Sequence, residues 1–367
     1  MKTSLTALLL LSTSAAYSSP DLRLIELSPG NQSWMTPEQI HSLMKKSHKE
    51  GHCGGFMDVT DYQDALPLHG ALHLFNSFPE KPAQQDLVTP LLSLVNSTYL
   101  EENVAKLSSY NNRYYQSETG VEAAEWIRDQ FIRYAGNRQD IHVELYKHPR
   151  WKQPSVVATI EGLTNEIVVI GGHEDSINSQ SFFPSPNDHA PGADDNASGT
   201  STILEIFRVI AESGFQPKRT IQFMTYAGEE KGLLGSQEIA NQYQRENKNV
   251  VAAMQFDMTM YPGSSGELTF ITDNTNASLT TFTKMLVDEY VKAPWKDGNC
   301  GYACSDHASW HRAGYASVFP FEAATREMNP NIHTTKDLSS ELDFNFGSHF
   351  AKLGVAFAIE MAQAGLF

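Results

Sequence analysis

At 367 residues, with 41% hydrophobic and 10% aromatic content, the chain has an ordinary globular composition, long enough for one large domain and an appendage. Its 43 acidic against 27 basic residues give a formal charge of −16, which argues against nucleic acid or an anionic membrane as partner. No apolar run in the sequence reaches the length that spans a bilayer.

Residues 1–19 read as a secretory signal. Lys2 supplies a basic start, positions 5–11 a short apolar core, and Ser14, Ala15, Ala16, Ser18 and Ser19 the small residues expected before a cleavage point. An ordinary N-terminal helix is the alternative, but an apolar core this close to the initiator Met fits export better. The next piece, residues 20 to about 90, is punctuated by prolines and holds short helical patterns such as Pro37-Glu-Gln-Ile-His-Ser-Leu-Met44. A weakly patterned stretch between a signal and a main domain suggests a propeptide. His48 and His52 have helical ligand spacing, yet Gly51, Gly54 and Gly55 weaken a helix there. Surface histidines beside a free Cys53 are the plainer reading.

The main domain is expected over residues 91–367, its patterned part opening near Tyr99. A helix is predicted over 120–132, with Val121, Ala124, Ile127 and Phe131 on one stripe. Strands follow at 141–145, 155–160 and 167–170, the last apolar at consecutive positions, as in a strand buried on both faces. A helix over 200–211 turns Ile203, Ile206, Phe207 and Ile210 inward. Then come a strand at 220–226, a helix at 234–243, strands at 250–258 and 267–272, and a helix at 279–291. A short strand at 316–320 and a helix at 347–364 close the chain. Strands alternating with helices predict a single α/β domain whose central mixed, mostly parallel sheet is flanked by helices.

Open α/β sheets bind ligands at the carboxyl ends of their strands, and the charged residues here gather at such ends. His173, Asp195, Glu230, Asp257 and His333 each follow an apolar strand or a tight turn. Any one of them alone reads as a cap or loop residue. Five on one sheet edge form a nitrogen and oxygen donor set suited to zinc. Glu229 and Glu230 are adjacent, so their side chains diverge. One can bind metal while the other takes a proton from the attacking water and passes it to a leaving amine; a solvated acidic turn is the alternative. Asp175 is placed to accept the second imidazole proton of His173 and so fix its tautomer. Cys300 and Cys304 read either as a small-loop disulfide or as a metal pair, the latter wanting further Cys or His close by.

Six motifs now stand in order. They are His173-x-Asp175, Gly192-Ala-Asp-Asp195-Asn-Ala-Ser-Gly199, Glu229-Glu230-x-Gly-Leu-x-Gly-Ser236, Gln255-Phe-Asp257-Met-Thr259, Cys300-Gly-Tyr-Ala-Cys304-Ser-Asp-His-Ala-Ser-Trp310 and Asn329-Pro-x-Ile-His333-Thr. Together they resemble the secreted bacterial leucyl aminopeptidases, within the dizinc exopeptidase family that also includes glutamate carboxypeptidases, glutaminyl cyclases and transferrin receptors. The resemblance runs from about Tyr99 to the C-terminus. It implies a zinc aminopeptidase with two zinc ions bridged by Asp195, the other ligands being His173, Glu230, Asp257 and His333. By the same resemblance Glu229 is the general base, Asp175 supports it from behind, and the peptide bond Asp195–Asn196 is cis. Tyr302, within the Cys300–Cys304 loop, is expected to donate a hydrogen bond to the oxyanion, although an aromatic ring packed in a small loop explains it equally.

The substrate pocket implied by the family comprises Met258, Ile271, Phe319, Phe321 and Ile332, with Tyr302 and the two cysteines. Where near relatives carry aromatic residues between Pro-Phe-Glu and Asn-Pro, this chain has Thr325 and Met328, a change that enlarges or softens the pocket. The expected partners are peptides with a free N-terminus and a processing protease, with no nucleic acid and no membrane, the chain acting as a monomer. The rival readings are another hydrolase or a glutaminyl cyclase of the same fold, or a non-catalytic binding protein built on it. Retention of every ligand and of the base counts against the last.

Overall fold

The computed structural model describes residues 21–28, 30–49, 55–62, 78–181 and 184–364. The signal reading over 1–19, His52, Cys53 and the side chain of His48 fall outside them. The described part of the leader is a small unit. Strands β1 (Arg23–Ser28), β2 (Asn31–Met35) and β3 (Met57–Asp58) form an antiparallel sheet in the order β2-β1-β3, with helix α1 (Pro37–Lys49) between the second and third.

Three helices precede the main sheet: α2 (Gln85–Leu92), α3 (Ser97–Ser108) and α4 (Glu118–Ala135). Helix α4 covers the predicted 120–132 and starts two residues earlier, where the Ser117 hydroxyl accepts the Gly120 N–H at 2.8 Å and caps the first turn. Residue 90, the approximate end expected for the leader, falls inside α2. That helix is built into the main domain: Val88 is fully buried, and the Glu360 carboxylate accepts the N–H groups of Ala83 and Gln84, both at 2.9 Å.

The main sheet uses β4 (Ile141–Tyr146), β5 (Ser155–Ile160), β6 (Thr164–His173), β7 (Arg219–Tyr226), β8 (Asn249–Gln255), β9 (Leu268–Ile271), β10 (Trp295–Gly298) and β11 (Ser317–Phe321). Their order is β10-β9-β11-β8-β6-β7-β5-β4. Parallel pairing runs unbroken from β11 through β8 and β6 to β7; β4 and β5 add antiparallel strands at one side, and β9 pairs antiparallel with β11 at the other. The sheet is therefore mixed, with a parallel centre. The helices joining its strands are α5 (Gly199–Glu212), α6 (Leu234–Arg245), α7 (Ala277–Leu286), α8 (His307–Arg312) and the closing α9 (Phe344–Gln363).

Strand β6 shows why consecutive apolar residues are needed at the centre. Val168 and Ile170 join the core under α5 and α9, where Phe131, Phe207 and Phe223 meet edge to face. Ile167 and Val169 join the opposite core, with Tyr243, Trp310 and Tyr315. Successive side chains point to opposite faces, so both must be apolar.

Three expectations shift. Strand β8 ends at Gln255 rather than at 258, because Asp257 and Met258 turn away and Met258 takes a φ of 55°. The helix expected over 279–291 begins at Ala277, and after Leu286 it widens into a π turn over Val287–Val291. Strand β10 was not anticipated: an edge strand reading Trp-Lys-Asp-Gly carries charges that hide its strand character. No helix among the described residues is long and apolar enough to cross a membrane.

Candidate metal centre

The site stands where the central parallel strands end. His173 is the last residue of β6, and Asp257 lies two residues past β8. Glu229 and Glu230 open a one-turn 3-10 helix after β7, entered through Gly228 at φ 71°. His333 comes from the loop between β11 and α9, with a φ of 55°.

Asp195 lies in the turn between β6 and α5. Gly192 enters this turn at φ 53°, and a Cβ there would stand 2.4 Å from the Asp195 carbonyl oxygen, so only glycine fits. The peptide bond Asp195–Asn196 is cis, as the resemblance implied. The Asn196 amide fastens the turn. Its Nδ2 donates to the carbonyls of His173 (3.2 Å) and Phe256 (3.1 Å), while its Oδ1 accepts the N–H groups of Gly199 (2.8 Å) and Met258 (3.1 Å). One side chain thereby joins the ends of β6 and β8 to the start of α5.

These elements bring the five expected ligands together. His173, Asp195 and Asp257 form one group, and Asp195, Glu230 and His333 a second, all buried. Asp195 Oδ1 is 3.1 Å from His173 Nε2, and its other oxygen is 2.7 Å from His333 Nε2. His173 Nε2 is also 3.3 Å from Asp257 Oδ1, and His333 Nε2 is 2.8 Å from Glu230 Oε2. Donors about 2.0–2.1 Å from a tetrahedral zinc would lie about 3.3 Å apart, close to these separations. Neither Glu230 oxygen accepts a hydrogen bond from a described residue, although an imidazole nitrogen faces one of them. Carboxylate oxygens and imidazole nitrogens that converge at these separations fit a cation between them.

The supporting residues are equally defined. Asp175 accepts the Glu229 N–H at 3.0 Å and the Glu230 N–H at 3.4 Å, and its Oδ1 is 3.4 Å from His173 Nδ1. It therefore holds the backbone of both glutamates and stands beside the His173 imidazole. Ser305 donates to Asp257 Oδ2 at 2.6 Å. Asp337 accepts the N–H groups of Asp194 (2.9 Å) and Asp195 (3.0 Å). The sequence reading gave no role to Asn196, Ser305 or Asp337; Asn196 and Ser305 lay inside quoted motifs, while Asp337 had no signal.

Burial without added positive charge sets the site's electrostatics. It pushes the Glu229 carboxyl well up and brings Glu230 to about 7 despite His333. It acts against Asp195 too, but His333 and His173 hold that carboxyl below the usual range. Burial disfavours the charged forms of both imidazoles, yet Asp257 and Glu229 move His173 well above the usual imidazole range, and Glu230 and Asp195 do the same for His333. So many buried carboxylates call for cations, and divalent metal supplies them.

Beside the ligands, Met258, Ile271, Cys300, Tyr302, Cys304, Phe319, Phe321, Met328 and Ile332 form one apolar cluster. All five expected pocket residues are in it, and Met328 joins them. Thr325 stays at the rim, its hydroxyl 3.5 Å from the Asn299 carbonyl. Cys300 and Cys304 are disulfide-bonded.

Comparison with known proteins gives three findings. Peptidase family M28 is matched over residues 155–358. The "Probable leucine aminopeptidase" of the fungus Arthroderma benhamiae is 41% identical over 351 residues, covering 95% of this chain and 94% of the relative. The LapA aminopeptidase of Legionella pneumophila has a crystal structure that superposes with a TM-score of 0.81 at 31% identity, covering 95% of this chain and 96% of that one.

Proposed function

The chain belongs to peptidase family M28 and is a metallo-aminopeptidase, and on that premise we propose that it uses two zinc ions to remove N-terminal residues, large apolar ones by preference, from peptides. The observation that carries this reading is the shared carboxylate: Asp195 turns one oxygen to His173 and the other to His333, so that two ligand groups meet on one side chain. Zinc bound there would supply Lewis-acid polarisation of the scissile carbonyl and a water of lowered pKa.

The protein's own groups do the rest. Glu229 belongs to neither ligand group, so its carboxylate is left to take a proton from the attacking water and deliver it to the leaving amine. Asp175 fixes that carboxylate's place through the Glu229 N–H. Tyr302 donates a hydrogen bond to the carbonyl oxygen as it gains charge. The apolar cluster of Met258, Phe319, Phe321, Met328 and Ile332 receives the side chain being released. A methylene in such a pocket is worth about 1–3 kcal/mol, which sets the scale of discrimination.

Hydrolysis of leucine, alanine, lysine and N-acetyl-leucine p-nitroanilides tests the reading. Leucine p-nitroanilide is expected to exceed the alanine and lysine substrates about tenfold or more in kcat/KM, and the acetylated one to remain uncut. A folded, zinc-loaded protein that cleaves none of them, or cleaves the blocked substrate equally well, overturns it.

We further propose export as a precursor whose leader obstructs the site, activated by a processing protease. The packing of the leader supports this. Leu24, Met57 and Val59 lie against Leu233, Ala303 and Ala308, while Ile25, Ile40, Met44 and Phe56 lie against Tyr114 and Ile177. Leu233, Ala303 and Ile177 sit in the segments that follow Glu230, Cys300 and His173. Asp58 N–H also donates to the Gly232 carbonyl at 3.1 Å, and Glu26 accepts from Arg312 at 2.9 Å. A specific protease site inserted between residues 62 and 78 is expected, once cut and the leader removed, to leave kcat/KM on small substrates unchanged or raised. Lower activity in protein that is still folded counts against obstruction.

A further inference from the structure

Arg113 stands in Asn111-Asn-Arg-Tyr-Tyr115, between α3 and α4, and is 1% exposed. A buried guanidinium ordinarily pairs with a carboxylate. This one donates to backbone carbonyls: Nε to Glu174 at 2.8 Å, Nη1 to Pro191 at 2.6 Å and Leu107 at 3.2 Å, and Nη2 to Gly192 at 2.8 Å. Glu174 lies between His173 and Asp175, and Pro191 and Gly192 lead directly into the turn that carries Asp195. We infer that Arg113 is a positioning residue for the metal centre, its planar fork fixing the strand end that bears His173 against the turn that bears Asp195.

The neighbours of Arg113 work on the same two segments. Its backbone N–H donates to the Ser176 hydroxyl at 3.0 Å, and that hydroxyl donates to the Ala190 carbonyl at 2.8 Å. The Asn112 amide donates to the carbonyls of Pro186 (2.9 Å) and Asp188 (2.7 Å), and Ala190 N–H donates to the Asn111 carbonyl at 2.9 Å. The segment from 111 to 113 thus holds residues 186–192, which lead to Asp195, by their backbone groups. Its own position is fixed by Gln153, whose amide donates to the Arg113 carbonyl at 3.1 Å.

Charge gives the guanidinium a second task. Burial weakens its hold on the proton overall, and the nearby charges of Asp337, Asp175, Asp195 and Glu174 offset part of that effect. It is a permanent cation behind a wall of carboxylates. Metal ligands must be held within about 0.2 Å of ideal distances, so loosening either segment weakens zinc before it unfolds the domain. Lysine cannot replace the fork: its ammonium is a point charge, unable to reach both carbonyl groups in one plane.

The test is zinc affinity, measured by competition with a chromophoric chelator, with kcat and KM for leucine p-nitroanilide alongside. Arg113→Lys is expected to bind zinc about 10–100-fold more weakly, and at saturating zinc to lose kcat with little change in KM. Glu360→Gln is the control, since Glu360 holds Ala83, Gln84 and the Tyr290 hydroxyl away from the site. It is expected to lower Tm and leave zinc affinity unchanged. If Arg113→Lys lowers Tm as Glu360→Gln does and keeps the parent affinity, the inference is overturned. Should Arg113→Lys fail to fold, Ser176→Ala decides: affinity several-fold weaker supports the inference, and unchanged affinity overturns it. The inference rests on the metal-centre reading, whose own failure would show as absence of zinc binding in the unaltered protein.

Discussion

Glu229→Gln is expected to lower kcat on leucine p-nitroanilide by about 10²–10⁴-fold, with zinc content and KM close to those of the unaltered protein. The expectation follows from position. Glu229 adjoins a ligand, yet neither ligand group includes it. Its backbone N–H is held by Asp175, and glutamine preserves both that hydrogen bond and the side-chain volume. What glutamine removes is the capacity to take a proton, so the loss should appear in kcat and not in binding. Metal analysis by mass spectrometry, with steady-state kinetics on the same preparation, makes the measurement. A kcat within threefold of the parent would remove Glu229 from the proton path. A fall in zinc content equal to the fall in kcat would make it a ligand instead.

Asp195→Asn has the larger effect on the metal. Each oxygen of Asp195 serves one of the two ligand groups, so a single substitution impairs both. The amide presents one neutral oxygen and an N–H₂ donor where two anionic acceptors stood. Loss of a residue that merely orients a ligand already costs about 10–100-fold in metal affinity, and loss of the shared ligand should exceed that. Zinc content is expected to collapse, and activity to fall to the level reached by the unaltered protein after chelation. Adding zinc back should restore the chelated parent and not the variant. An Asp195→Asn protein that keeps its full zinc complement would show that the two groups do not depend on a common carboxylate.

The chemistry was legible in the sequence because it sits on strand ends. The apolar run 167–170 announces β6, and His173, two glycines further on, is thereby placed at the strand's carboxyl end. The turn from Gly192 to Gly199 is equally open, since small residues around a carboxylate leave few alternatives. What stayed hidden acts at long range through the backbone. Asp337 serves residues 142 and 143 positions away, and three of the four carbonyls that Arg113 reaches are 61 to 79 positions away. A side chain that bonds to carbonyls needs no particular partner residue type, so no spacing betrays it. The leader was read as weakly patterned for a related reason. Strand β2 is exposed along nearly its whole length, so no inward face imposes alternation, and β3 has only two residues.

The candidate ligands run from residue 173 to residue 333: His173 closes β6, Asp195 lies in the turn that follows it, and Glu230, Asp257 and His333 come from the segments after β7, β8 and β11. No single connection supplies either ligand group, and the contacts that assemble them are non-local, the class that forms late in folding. Zinc therefore discriminates against every incomplete intermediate. It acts as a ligand of the native state alone, adding about 2.7 kcal/mol of stability when free zinc is a hundredfold above the dissociation constant. Metal binding at such a centre would report that the ends of the central strands have been assembled, a condition that no isolated turn or helix of the chain meets.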